Sequence, residues 1–202
     1  AYAYKILDFE SEQFIRAISS EVMSVNQFNK QIDFHIISDE NPNAYIDQNN
    51  QLYISSGLIT NSPDYIAFLA VIAHEIGHLE KYHITKKKQS IEGLKSLNAL
   101  GNLSILAGSM IAKNPSMIQA LTVNQLGINN FYINFSKEQE READYYSINT
   151  LNKLNLPTGS VIKLLETIEE RALQKGITEE FQKFSTHPIF KERYEIINQN
   201  SE

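Results

Sequence analysis

The residues His74-Glu75-Ile76-Gly77-His78 concentrate more potential chemistry than any other five in this sequence. On an α-helix the two histidines stand one turn apart on the same face, so their imidazoles can converge on one tetrahedral ion such as zinc. Glu75 lies beside that face and can reach a water at the open fourth position, where hydrolysis needs a general base. In a chain of 202 residues with 5 histidines, this pattern arises by chance only about 1% of the time. The metal reading therefore outweighs coincidence.

A third protein ligand is required, and the chain contains no cysteine to supply it. Glu138-Gln139-Glu140-Arg141-Glu142-Ala143-Asp144 offers four carboxylates, which would ordinarily be a solvated helix face. Glu140 and Asp144 are one turn apart, so Glu140 could ligate while Asp144 holds the N–H of a ligand histidine and fixes its tautomer. That spacing favours Glu140, with Glu138 and Glu142 as competitors. His83, five residues beyond His78, falls off the ligand face of a continuing helix and reads as a structural hydrogen-bonding residue. His35, in a strand-like run, and the scattered tyrosines read the same way.

Taken together, His74 to His78, Glu140 to Asp144, and Ser185-Thr186-His187-Pro188 resemble metallopeptidase family forty-eight. The likeness extends to Asn43-Ala44-Tyr45, Ser56-Gly57-Leu58 and Arg193, and so covers most of the chain. That family contains the CAAX prenyl protease, the bacterial heat-shock membrane protease, the mitochondrial inner-membrane stress protease and periplasmic outer-membrane quality-control proteases. The resemblance implies one zinc ion on His74, His78 and Glu140, with Asp144 supporting a ligand histidine and Glu75 as base. It implies that His187 and Arg193 line the site as catalytic residues, His187 being also a possible fourth zinc ligand. It further implies an extended substrate paired along Asn43, Ala44 and Tyr45. The expected substrates are unfolded or misassembled cell-envelope proteins, cleaved by an endopeptidase that is latent at rest. The expected location is the periplasm or cell envelope, with a signal or anchor taken to precede Ala1. A zinc-containing chaperone or adaptor that binds unfolded clients without cleavage is the rival reading; an intact Glu75 argues against it.

The elements that must position these residues follow from periodicity. Phe9, Phe14, Ile15, Ile18, Val22 and Val25 predict an amphipathic helix over 9–28. Gln31–Ile37, Ala44–Ile46 and Leu52–Ile54 predict a sheet of about three strands, the last two joined by a turn at Asp47–Asn50. Ser62-Pro63-Asp64 predicts the start of the helix that carries the motif, with Ser62 as N-cap and Pro63 in the first turn. Ser136 and Gln139 have the spacing of a capping box. Further helices are expected after Asn114-Pro115, over Ser160–Lys175 with Gly176 as terminator, and over Phe190–Ile197.

A net charge of −6 and 42% apolar residues describe a globular protein without the clustered basic surface that nucleic acid requires. Lys86-Lys87-Lys88 reads as a solvated helix end. Residues 93–111 are apolar but interrupted by Lys95, Asn98 and Asn102, which suits association with a membrane surface better than a span. The expectation is a single α+β domain over 1–202, zincin-like of the gluzincin type and mainly helical, with a small sheet beside the active-site helix.

Overall fold

The computed structural model describes residues 5–6, 8–47, 49–84, 135–176, 187 and 191–199. The expected membrane-surface segment 93–111, the helix after Asn114-Pro115 and the Lys86–Lys88 run lie outside the described residues. Among the described residues no helix is long and apolar enough to cross a membrane.

The chain opens with β1 (Lys5–Ile6) and α1 (Phe9–Val25), whose first turn is closed by Asp8 accepting from the Ser11 N–H at 2.9 Å. Ile15, Ile18 and Val22 form its buried stripe, whereas Phe9 and Phe14 are exposed. Three strands follow: β2 (Asp33–Ile37), β3 (Ala44–Ile46) and β4 (Gln51–Ser55). The Asp47 carboxylate holds the β3–β4 turn by accepting from the N–H groups of Asn49 and Gln51 at 2.8 and 2.9 Å. The sheet order is β1-β2-β4-β3, so it has four strands rather than the expected three. β2 and β4 are parallel, with Phe34 opposite Leu52, and the two outer pairings are antiparallel.

A short α2 (Ser56–Asn61) leaves the sheet directly, capped by Ser55. Its Gly57 packs so tightly that a Cβ there would lie 2.3 Å from the Glu40 carbonyl oxygen. The motif helix, α3 (Tyr65–Glu80), begins later than the sequence suggests: its N-cap is Asp64, accepting from the Ala67 N–H. Ser62 instead terminates α2, donating its N–H and hydroxyl to the Leu58 carbonyl at 2.9 and 2.8 Å. Two cap-prone residues stand side by side here, and the shorter helix takes the first.

The expected capping box opens α4 (Lys137–Lys153). α5 (Gly159–Gln174) ends at Gly176, whose φ of 74° is the left-handed turn that glycine permits. α6 (Lys191–Gln199) closes the described chain. Ile15, Leu52, Ile54, Leu69, Ile72, Ile76, Ile148, Leu164 and Ile197, drawn from α1, β4, α3, α4, α5 and α6, belong to one buried cluster. α3 therefore runs through the core, with the sheet on one side and α4 on another.

Candidate metal centre and active site

Glycine sets the distance between the two site helices. A Cβ on Gly77 would lie 3.0 Å from Tyr146 Cβ and 3.3 Å from Ala143 Cα, so α4 approaches α3 where no side chain intervenes. The Ser147 hydroxyl ties the pair by donating to the Ala70 carbonyl at 2.7 Å. The buried stripe of α4 is Glu140, Ala143, Asp144, Ser147, Ile148 and Leu151, so two carboxylates occupy positions that a core stripe ordinarily gives to apolar residues.

Four donors meet there: His74, His78, Glu140 and His187, with one candidate ligand atom from each lying within 4.8 Å of the others. His74 Nε2 is 3.0 Å from His78 Nε2 and 3.3 Å from Glu140 Oε2, and His78 Nε2 is 3.4 Å from Glu140 Oε1. His187 Nδ1 is 3.1 Å from Glu140 Oε1 and 3.3 Å from His74 Nε2. An ion held tetrahedrally at about 2.0–2.1 Å sets its donors about 3.3–3.4 Å apart. The printed separations, 3.0–3.4 Å, approach those edges, with Glu140 presenting one oxygen to His74 and the other to His78 and His187.

The surroundings orient the donors. Asp144 Oδ1 is 2.9 Å from His74 Nδ1, so it accepts that N–H and leaves the Nε2 lone pair facing the cluster. Arg193 in turn donates from Nε and one terminal nitrogen to the two Asp144 oxygens, both at 2.7 Å, and its other terminal nitrogen is 3.2 Å from Glu140 Oε2. Burial opposes the Asp144 charge, but Arg193 and His74 hold this carboxyl below its ordinary value. Burial likewise opposes the Glu140 charge, and His187 and Arg193 hold that carboxyl well below its ordinary range. Burial pushes the Glu75 carboxyl up, with Glu140 adding to that effect and His187 and His74 opposing it.

His74 is driven down by burial yet pulled up to about 9 by Asp144 and Glu140, while burial keeps His78 well below its ordinary value. The field that draws a proton to His74 also draws a metal cation. Three buried carboxylates, Glu75, Glu140 and Asp144, face one buried guanidinium, Arg193, and a divalent cation cancels the remaining two negative charges. The donors therefore suit such an ion in geometry and in charge.

Of the residues singled out from sequence, His74, Glu75, His78, Glu140, Asp144, His187 and Arg193 are brought together. Glu138 is exposed and paired with Arg141 at 2.6 Å, and Glu142 meets His83, so neither competing carboxylate reaches the cluster. Arg193, expected to line the site as a catalytic residue, is engaged by the carboxylates of Asp144 and Glu140 behind the donors. His35 bonds Gln51 within the sheet, as a structural residue. His83 hydrogen-bonds as a structural residue, as expected, but in a place the sequence did not indicate: it is 1% exposed and 3.0 Å from His78 through their Nδ1 atoms.

The sequence pattern of peptidase family M48 matches residues 10–201. The chain belongs to that family. The clustered donors are in keeping with membership of a peptidase family. Relatives include the putative beta-barrel assembly-enhancing protease of Vibrio cholerae, 28% identical over 65% of this chain and 27% of the relative. The beta-barrel assembly-enhancing protease of Escherichia coli K12 is 24% identical over 90% of this chain and 37% of the relative. The metalloprotease LoiP of the same strain is 28% identical over 85% of this chain and 64% of the relative. The chain thus spans about a third of the length of the first two proteins.

Proposed function

We propose that this M48 chain is the gluzincin-type catalytic domain of a zinc endopeptidase acting on unfolded or misassembled cell-envelope proteins, latent at rest. The observation that carries the proposal is the four-donor cluster with Glu75 beside it, buried yet outside the donor set. A chaperone that kept zinc for structure would have no use for that carboxylate. The names of the beta-barrel assembly-enhancing relatives support an envelope location and envelope clients.

In this reading His74, His78 and Glu140 hold zinc, which when bound supplies a Lewis acid that acidifies water and polarises a carbonyl. Glu75 accepts the proton of the attacking water as the C–O bond forms, then delivers it to the amine nitrogen as the C–N bond breaks. Its burial makes it a stronger base than an exposed glutamate. Asp144 keeps His74 in the ligating tautomer, and Arg193 acts by fixing Asp144 and Glu140. His187 completes the donor set at rest; released from it, its N–H can donate to the oxyanion.

The proposed substrate edge is β3. Asn43 gives its main-chain groups to Ser55, its carbonyl accepting from the N–H and its N–H donating to the hydroxyl, both at 2.9 Å, and Asp47 bonds to Gln51. By antiparallel alternation Tyr45 bonds to Tyr53, so the outward main-chain groups belong to Ala44 and Ile46. β3 packs against α3, and the Ile46 main chain is among the groups that oppose the rise of the Glu75 carboxyl, which supports a substrate edge beside the base. A substrate pairing there by its backbone would be accepted with little regard to sequence.

Metal analysis of the purified chain, combined with digestion of unfolded casein with and without a chelator, tests the proposal. One zinc per chain and chelator-sensitive cleavage are expected. A metal-free chain that cleaves equally well would overturn it.

A further inference from the structure

α3 stops at Glu80, and on a continued helix a residue five positions after His78 would point about 140° away from it. Instead Tyr82 takes a φ of 58°, a left-handed conformation that residues other than glycine rarely adopt. Its side chain is 58% exposed, so burying the tyrosine is not what the turn accomplishes. The turn carries His83 back beneath the motif helix, into a fully buried position.

There His83 Nε2 is 2.8 Å from Glu142 Oε2. An ionised carboxylate only accepts, so the His83 Nε2 carries the hydrogen and its Nδ1 is left bare. That Nδ1, 3.0 Å from His78 Nδ1, accepts the N–H of His78. The His78 Nε2 lone pair is thereby freed toward His74 and Glu140, at 3.0 and 3.4 Å. Phe135 stacks on the His78 ring at 3.7 Å between centroids and restricts its plane.

We propose that His83 and Glu142 form a positioning relay that fixes the ring and tautomer of His78, as Asp144 and Arg193 do for His74. The proposal rests on the reading that His74, His78 and Glu140 bind zinc. It makes the left-handed Tyr82 part of the metal site, because that turn alone brings the relay under its ligand.

The test is the zinc affinity of the purified full chain, by competition with a chromogenic chelator, alongside melting temperatures with and without zinc. His83→Phe, which keeps a ring but offers no acceptor, is expected to weaken zinc binding about 10–100-fold. His83→Gln, whose amide oxygen can accept the His78 N–H, should recover part of that loss. A positioning role narrows the gap between zinc-loaded and zinc-free melting temperatures. Equal falls in both, with unchanged zinc affinity, would overturn the relay. Should His83→Phe fail to fold, Glu142→Leu decides: the Glu142 side chain is 42% exposed, so its replacement opens no cavity in the core. Several-fold weaker zinc binding supports the relay, and wild-type affinity refutes it. Glu140→Ala separates the two readings. If it binds zinc as tightly as wild type, the ligand assignment itself fails; if it loses zinc while His83→Phe does not, only the relay fails.

Discussion

Glu138, Glu140 and Glu142 stand within little more than one turn of α4, and their surroundings give each a different chemistry. Glu138 pairs with Arg141 in solvent, where screening leaves such a pair little net stabilisation, while Glu140 is fully buried among imidazoles. Glu140→Ala is accordingly expected to abolish stoichiometric zinc, whereas Glu138→Ala retains it; metal analysis after gel filtration reads the difference. Asp144→Asn should be intermediate, at roughly 10–100-fold in affinity, since the amide keeps an acceptor but loses the charge. His187 sits at the same separations from Glu140 and His74 as the other donors do from each other. His187→Ala should therefore keep zinc through the remaining three ligands and raise casein cleavage by opening the fourth position. A fall in cleavage would assign His187 to the transition state instead, and unchanged kinetics would leave it no role in the reaction.

The position of each side chain depends on where its element starts and stops. The Asp64 cap fixes the start of α3: burial disfavours its charge, but the Ser160 hydroxyl and the Ala67 N–H outweigh this and hold the carboxyl below its ordinary value. Asp64→Ala should cost about 0.5–2 kcal/mol in denaturant unfolding. Because the folded value is depressed, this stabilisation is complete above the unfolded value near 4 and is lost as pH falls through the folded one. A cap contribution that persisted at low pH would contradict the assignment. On β3, Ala44→Pro removes an outward N–H and should raise KM with the fold intact. Tyr45→Pro removes a bond to β4 and should cost about 1–3 kcal/mol of stability. Equal KM for Ala44→Pro and wild type would remove the substrate edge.

These elements were unequally legible in the sequence. The Ser136–Gln139 box and the apolar stripes of α1 and α3 announce themselves, because capping and burial are local or periodic. The start of α3 does not, since Ser62, Pro63 and Asp64 each suit a helix terminus and only tertiary packing reveals that α2 uses the first. β1, two residues long, has no periodicity to read. His83 was obscured by the end of α3, which lacks a terminating glycine; the left-handed Tyr82 leaves no mark in residue type.

At the scale of the whole molecule, the site joins parts of the chain far apart in sequence. α3 gives two imidazoles and a base, α4 gives two carboxylates, and His187 and Arg193 come from the last sixteen residues. The buried carboxylates outnumber Arg193, and Asp144 and Glu140 raise His74 to about 9, so a proton on His74 and a metal cation would compete for this site and either would help to dock these segments. The motif pattern pointed to the clustered donors but not to this coupling, which depends on charges that meet only after folding. In the proposed mechanism Glu75 serves the reaction and not the metal. The most direct measurement is casein hydrolysis by Glu75→Gln loaded with one zinc per chain. Zinc affinity close to wild type is expected, with turnover reduced by about 10²–10⁴-fold, the usual cost of a lost general base; undiminished turnover by the zinc-loaded variant would exclude Glu75 as the base.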